Sequence, residues 1–135
     1  MSDCIFCKIV AGEIPVYEIY RDEKFVVFPD RNPLNTGHVL IVPKEHVDFV
    51  FDVSEATYNE LFQLVRRIAP VVREAMDSAR IGLIVEGFGM PHHSHIHVIP
   101  INTQNELDPS RSRPASEEEL KETAEKIRSA LKNSV

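Results

Sequence analysis

Apolar positions recur along the chain in several rhythms, and each rhythm predicts a different element. Residues 3 to 12, DCIFCKIVAG, read as a short helix, with Asp3 placed to cap its first turn and Gly12 suited to the position just past its end. Cys4 and Cys7 would then lie on one side of it. After Pro15, YEIY (17–20) and KFVVF (24–28) are short aromatic or β-branched runs separated by Arg-Asp-Glu, the pattern of a hairpin. Pro29 to Gly37 carries Asp30, Asn32, Pro33 and Asn35 and predicts a loop. HVLIVP (38–43) is a continuous apolar run of strand length that Pro43 should end.

From Ser54 to about Ser78, Leu61, Leu64, Val65, Ile68, Val72 and Ala75 recur at steps of three and four, which predicts one long amphipathic helix. Thr57 with Glu60 reads as a capping box, and Pro70 predicts a kink or broken turn near residue 66. IGLIVEG (81–87) and IHVIP (96–100), joined through FGMPHH, read as the last two strands of an antiparallel meander. Beyond Asn102 a polar stretch to residue 115 reads as a linker that ends the core. Ser116 to Lys132 then predicts a charged helix capped by Ser116, whose stripe of Leu120, Ala124, Ile127 and Leu131 must dock on the core or on another subunit.

Composition narrows the function. At 135 residues one domain is expected, large enough for a core without disulfide staples. Fifteen Lys plus Arg against 21 Asp plus Glu leave a net charge of −6, with no basic block, which argues against duplex nucleic acid but not against a single nucleotide. Asp3, Lys8 and Glu13 interrupt the first twenty residues, and no apolar run approaches the ~18 residues of a membrane span. No export signal or membrane anchor is therefore expected, and a cytoplasmic setting is expected with it. The two cysteines, Cys4 and Cys7, then favour a thiolate pair over a structural disulfide. A redox pair, half a zinc site and chance all produce that spacing.

Four of the six histidines, His92, His93, His95 and His97, fall within PHHSHIHVIP. His93, His95 and His97 are each two apart, and only a strand directs such a series to one face, neighbouring rings standing roughly 6.6 to 6.8 Å apart. Ser94, Ile96 and Val98 would face the long helix. An imidazole that is partly unprotonated near neutral pH can attack phosphorus, while its neighbours hold phosphate oxygens or pass a proton. A solvated polar edge or an incidental chelating cluster is the plainer alternative.

At these residues the chain resembles the histidine triad (HIT) family, whose signature is matched by His93-Ser94-His95-Ile96-His97-Val98-Ile99. The opening, CIFCKIVAGEIPVYEIYRDEKFVVFPDRNPLNTGHVLIVPKEH, is similar to the amino-terminal half of bacterial and archaeal members, so the likeness covers about residues 3 to 101. The resemblance implies an α+β, HIT-like fold: a five-stranded antiparallel sheet, one long helix packed on it, a short amino-terminal helix and a carboxy-terminal helical tail. Residues 1–104 would form the HIT domain and 105–135 the linker and last helix. It implies a homodimer with one purine nucleotide site per protomer.

The resemblance also assigns roles. His95 would be the nucleophile on the α-phosphorus, with His97, His93 and His38 around it. Asp30 would hold the ribose hydroxyls, with Phe6, Ile9 and Phe28 near the base, although ordinary core packing explains those three equally well. Cys4, Cys7, His46 and His93 would bind a structural zinc, with no catalytic cofactor required. His92 is an extra histidine that could replace His93 as ligand. Ser94, Val85 and the short loop from Gly87 to Pro91 depart from the family pattern and bear on substrate and rate. The implied activity is a nucleotide hydrolase, with transferase chemistry also open, acting on phosphoramidates or dinucleoside polyphosphates. A nucleotide-binding module with little turnover and a zinc-stabilised interaction protein are the alternatives.

Overall fold

A computed structural model describes residues 3–85 and 92–133. Three helices and five strands follow one another as α1 (Ile5–Val10), β1 (Tyr20–Arg21), β2 (Phe25–Pro29), β3 (Val39–Pro43), α2 (Glu55–Ala75), β4 (Arg80–Ile84), β5 (Ile96–Ile101) and α3 (Glu117–Lys132), with short 3-10 turns at Val50–Asp52 and Pro109–Arg111. The strands form one antiparallel sheet in the order β1-β2-β3-β5-β4. The last two strands pair as expected, but β5 rather than β4 lies beside β3. The chain leaves β3, passes through α2 and returns at the sheet edge. The amino-terminal hairpin exists, with its first strand only two residues long.

Both faces of the central strands are covered, which explains why β2 and β3 read as continuous apolar runs. Phe25, Val27, Val39, Ile41, Ile96 and Val98 point to one face, where they meet Leu61, Leu64, Val65, Ile68 and Val72 of α2. Val26, Phe28, Leu40 and Val42 point to the other and meet Phe6 and Ile9 of α1. Ala124, Ile127 and Leu131 of α3 join the first cluster, so the stripe docks on this chain's own core, against α2 and β2.

The helix ends differ from the expected caps. Cys4, not Asp3, is the N-cap of α1, its Sγ accepting the Cys7 N–H at 3.4 Å. Ser54, not a Thr57–Glu60 box, caps α2: its Oγ accepts the Thr57 N–H at 3.3 Å, and Glu60 instead pairs with Lys24 at 2.9 Å. The helix runs through Pro70 without a break. Pro70 and Arg66 both lie on its exposed side, where the carbonyl that proline leaves unbonded can meet water. Ser116 caps α3 as expected, its Oγ accepting the Glu119 N–H at 3.0 Å.

The linker is held down. Leu107 packs over Gly82, the Ala115 N–H donates to Arg31 O at 3.0 Å, and the Ser112 hydroxyl donates to Asn32 O at 3.2 Å. Among the described residues no helix is long and apolar enough to cross a membrane.

Candidate functional site

Sheet register brings the polar residues together on the α1 face. Leu40 lies opposite both Phe28 and His97 in the ladder. Two residues on along each chain, the same face carries Asp30 beyond β2 and His38 before β3. The Asp30 N–H to His38 O bond at 2.9 Å continues that pairing. Asp30, His38 and His97 thereby converge, with Asp30 Oδ2 at 3.4 Å from His38 Nε2 and 3.7 Å from His97 Nδ1. The paired strand begins only at Ile96, so His93 and His95 precede it, and the Ser94 N–H donates to Val47 O at 2.7 Å. The His95 and His97 rings nevertheless share a face, their centroids 4.9 Å apart, closer than the strand repeat because the rings lean together.

Three hydrogen bonds decide which nitrogen of each imidazole carries the proton, because a carbonyl oxygen only accepts and an amide N–H only donates. His95 Nδ1 lies 2.7 Å from His93 O, so Nδ1 holds the proton and Nε2 presents a lone pair. His38 Nδ1 accepts the Leu34 N–H at 3.0 Å, so its Nε2–H donates to His97 Nδ1 at 2.9 Å, which puts the His97 proton on Nε2. His93 Nε2 donates to Pro43 O at 2.7 Å, which turns its Nδ1 lone pair toward the cysteines. A lone pair on His95 thus stands beside an N–H on His97.

His38 is buried, and burial pulls its pKa down from 6.5 to about 4, with His97 adding to the fall and Asp30 opposing it. Neutral His38 is what the relay to His97 requires. Because the unfolded chain binds this proton more readily than the folded one between pH 6.5 and about 4, stability should fall as pH drops through that window, by up to about 3 kcal/mol. His38→Gln should flatten this part of the acid-unfolding profile. An unchanged profile would show that His38 does not titrate this way.

A cleft of about 300 Å3 opens beside the pair, walled by Phe6, Ile9, Phe28, Leu40 and Val16, with Asp30, His95 and His97 also on its lining. Phe6, Ile9 and Phe28 are core residues and cleft wall at once, so both of their expected roles coincide. The Phe6 ring meets that of His95 edge-on at 5.1 Å. Tyr17, Arg31, Glu117 and Leu120 also line the cleft. Sequence reasoning missed these four, since periodicity gave Leu120 a core role and Glu117 the look of an ordinary first-turn acid. The loop from Gly87 to Pro91 lies outside the described residues. Val85 follows directly after β4 and is exposed. The Ser94 hydroxyl is buried with no hydrogen-bond partner among the described residues, a burden of about 1–3 kcal/mol.

His93, expected both near the phosphate and among the metal ligands, turns its Nδ1 to Cys4, Cys7 and His46 and its Nε2 to the Pro43 carbonyl. Its Nδ1 lies 3.4 Å from Cys4 Sγ, 3.6 Å from Cys7 Sγ and 3.2 Å from His46 Nδ1, while Cys7 Sγ lies 3.2 Å from His46 Nδ1. A tetrahedral zinc with the usual Zn–S and Zn–N bonds would separate such ligands by about 3.3 to 3.8 Å. The four groups therefore fit the ion closely. The Pro43 carbonyl orients His93 as outer partners of metal-bound imidazoles do. His92 lies apart, exposed and 3.8 Å from the Asp48 carboxylate, so the cluster includes His93 and not His92.

The likeness to known proteins is broad. The family described as "Scavenger mRNA decapping enzyme C-term binding" matches residues 3–112. The adenosine 5'-monophosphoramidase of Schizosaccharomyces pombe is 31% identical over 135 residues, covering 96% of this chain and 98% of that protein. The crystal structure of a HIT-like protein involved in cell-cycle regulation from Bartonella henselae superposes with a TM-score of 0.88 at 30% identity, covering 96% of this chain and 97% of that one. A zinc-bound histidine triad protein from Mycobacterium smegmatis superposes at 0.84 with 28% identity, covering 98% and 95%. Sequence matches over most of the chain, superposition of the whole fold and the paired imidazoles in the cleft agree, and this chain belongs to the histidine triad (HIT) family.

Proposed function

We propose that the protein hydrolyses purine nucleotides at the α-phosphorus through a covalent nucleotidyl intermediate on His95. The observation that carries this reading is the bond from His95 Nδ1 to His93 O, which leaves the nucleophilic lone pair on Nε2 in the cleft. In the first step Nε2 bonds to phosphorus as the bond to the leaving amine, or to the leaving anhydride oxygen, breaks. The leaving atom takes the electron pair and a proton. Water then attacks phosphorus, His95 recovers its lone pair, and a nucleoside monophosphate departs. His97, on the cleft lining with its ring 4.9 Å from that of His95, is the group placed to assist at a phosphate oxygen or the leaving atom. Asp30 takes the ribose hydroxyls. Phosphoramidates and dinucleoside polyphosphates are the substrates, and the yeast relative's monophosphoramidase name supports the first.

Stereochemistry tests this reading. Two successive in-line displacements retain configuration at a chiral α-phosphorus, whereas direct attack by water inverts it. Retention with a chiral adenosine phosphoramidate analogue is expected. Inversion would remove the covalent step, and tight monophosphate binding without turnover of any phosphoramidate would make the protein a binding module.

Zinc, bound by Cys4, Cys7, His46 and His93, would fill all four positions and act structurally. Reduced thiols suit a cytoplasmic setting. A homodimer is supported by the edge strand β4, where Leu83 and, just past the strand, Val85 are exposed. Sedimentation should give the mass of two chains, and Leu83→Asp should shift it toward one. A one-chain mass for the wild type would remove the dimer.

A further inference from the structure

The cleft lining also carries polar groups that the hydrolysis scheme does not use. Glu117, in the first turn of α3, lines the same cleft as Phe6, Ile9 and Phe28. Its Oε1 accepts the Tyr17 hydroxyl at 3.0 Å, and its Oε2 lies 3.8 Å from an Arg31 guanidinium nitrogen. The linker holds this turn in place through the Ala115 N–H to Arg31 O bond and the Ser116 cap. An ion pair this long, with both side chains about 70% exposed, contributes little to folding. Its place on the cleft wall calls for another role.

We propose that the Glu117 carboxylate, held by Tyr17, reads the outer edge of the purine and favours guanine over adenine. This rests on the nucleotide reading above. With phosphorus at His95 and ribose at Asp30, a purine between the apolar walls turns the edge opposite its N9 attachment away from the phosphate, and Glu117 is the second carboxylate on that lining. The edge opposite N9 carries positions 1, 2 and 6. Guanine presents adjacent N1–H and 2-amino donors there, a match for a carboxylate that only accepts. Adenine offers a single amino donor beside an unprotonated N1, whose lone pair a carboxylate repels. Arg31 sits one residue beyond Asp30 on the same lining, its guanidinium 3.8 Å from the carboxylate.

Calorimetric binding of GMP, IMP and AMP tests the proposal without requiring turnover. The wild type should prefer GMP to AMP by on the order of ten-fold, with IMP between because it keeps N1–H and lacks the 2-amino group. In Glu117→Gln, whose amide offers both a donor and an acceptor, the GMP-to-AMP ratio should collapse toward one. The melting temperature serves as the check on folding. Equal binding by the wild type, or a preference that survives in Glu117→Gln, overturns the proposal alone. Binding of none of the three overturns the nucleotide reading and this proposal with it.

Discussion

Asn at position 95 should lower turnover of a nucleoside phosphoramidate by at least about 10^4-fold, because it removes the atom that forms the bond to phosphorus. The amide is close to the imidazole in size at its near end and can still donate to His93 O, the bond His95 Nδ1 makes at 2.7 Å. Folding and nucleotide affinity should therefore survive, and the loss should appear in kcat. His97→Asn supplies the contrast. Its proton assists rather than forms the bond, so its loss should fall nearer 10^2-fold. Activity in His95→Asn within a few-fold of wild type would place the chemistry on another group. A neutral His38 below pH 6.5 keeps the relay to His97 in the same tautomer, so the lower limb of a pH–rate profile should not reflect His38.

Replacing Cys7 by Ser, or stripping metal with a chelator, should lower the melting temperature by about 10 to 20 °C, several kcal/mol in a domain of this size. The expected zinc joins three separate parts of the chain: α1 through Cys4 and Cys7, the segment after β3 through His46, and the segment before β5 through His93. Without a cation the two thiols lie close together, and burial followed by the Cys4 neighbour pushes the Cys7 pKa up. Metal must displace those protons. The purified wild type should carry one zinc per chain, its melting should respond to chelator, and Cys7→Ser should melt at the chelated temperature and ignore chelator. Wild type without zinc and indifferent to chelator would leave four groups that cluster for another reason. Since α1 also supplies Phe6 and Ile9 to the cleft, metal loss should weaken nucleotide binding as well.

The two predictions draw on parts of the site that were unequally legible. The α2 and α3 periodicities, the fully buried β2 and β3 runs and the Ser116 cap could be read directly, because burial on one stripe or on both faces leaves a pattern in adjacent residues. His93, His95 and His97 announced themselves by spacing, and the CxxC with His46 did so through resemblance. Their separate duties were not legible. Spacing put three rings in one row, yet backbone carbonyls at His93 and Pro43 and the Leu34 N–H set the protons and turned His93 to the cysteines. Such bonds join residues distant in the chain or depend on a carbonyl's direction, and residue identity encodes neither.

The amino-acid order alone determined the long helices, the buried β2 and β3 runs, the apolar stripes that face the core, and that phosphorus chemistry by imidazole was within the chain's means. Only the tertiary structure decided that β5 inserts beside β3, that the α3 stripe closes this chain's own core, and that Glu117 and Tyr17 reach the cleft. Local rhythm follows from the geometry of a single element, whereas strand order and the meeting of residues 100 positions apart follow from how the finished elements cover one another.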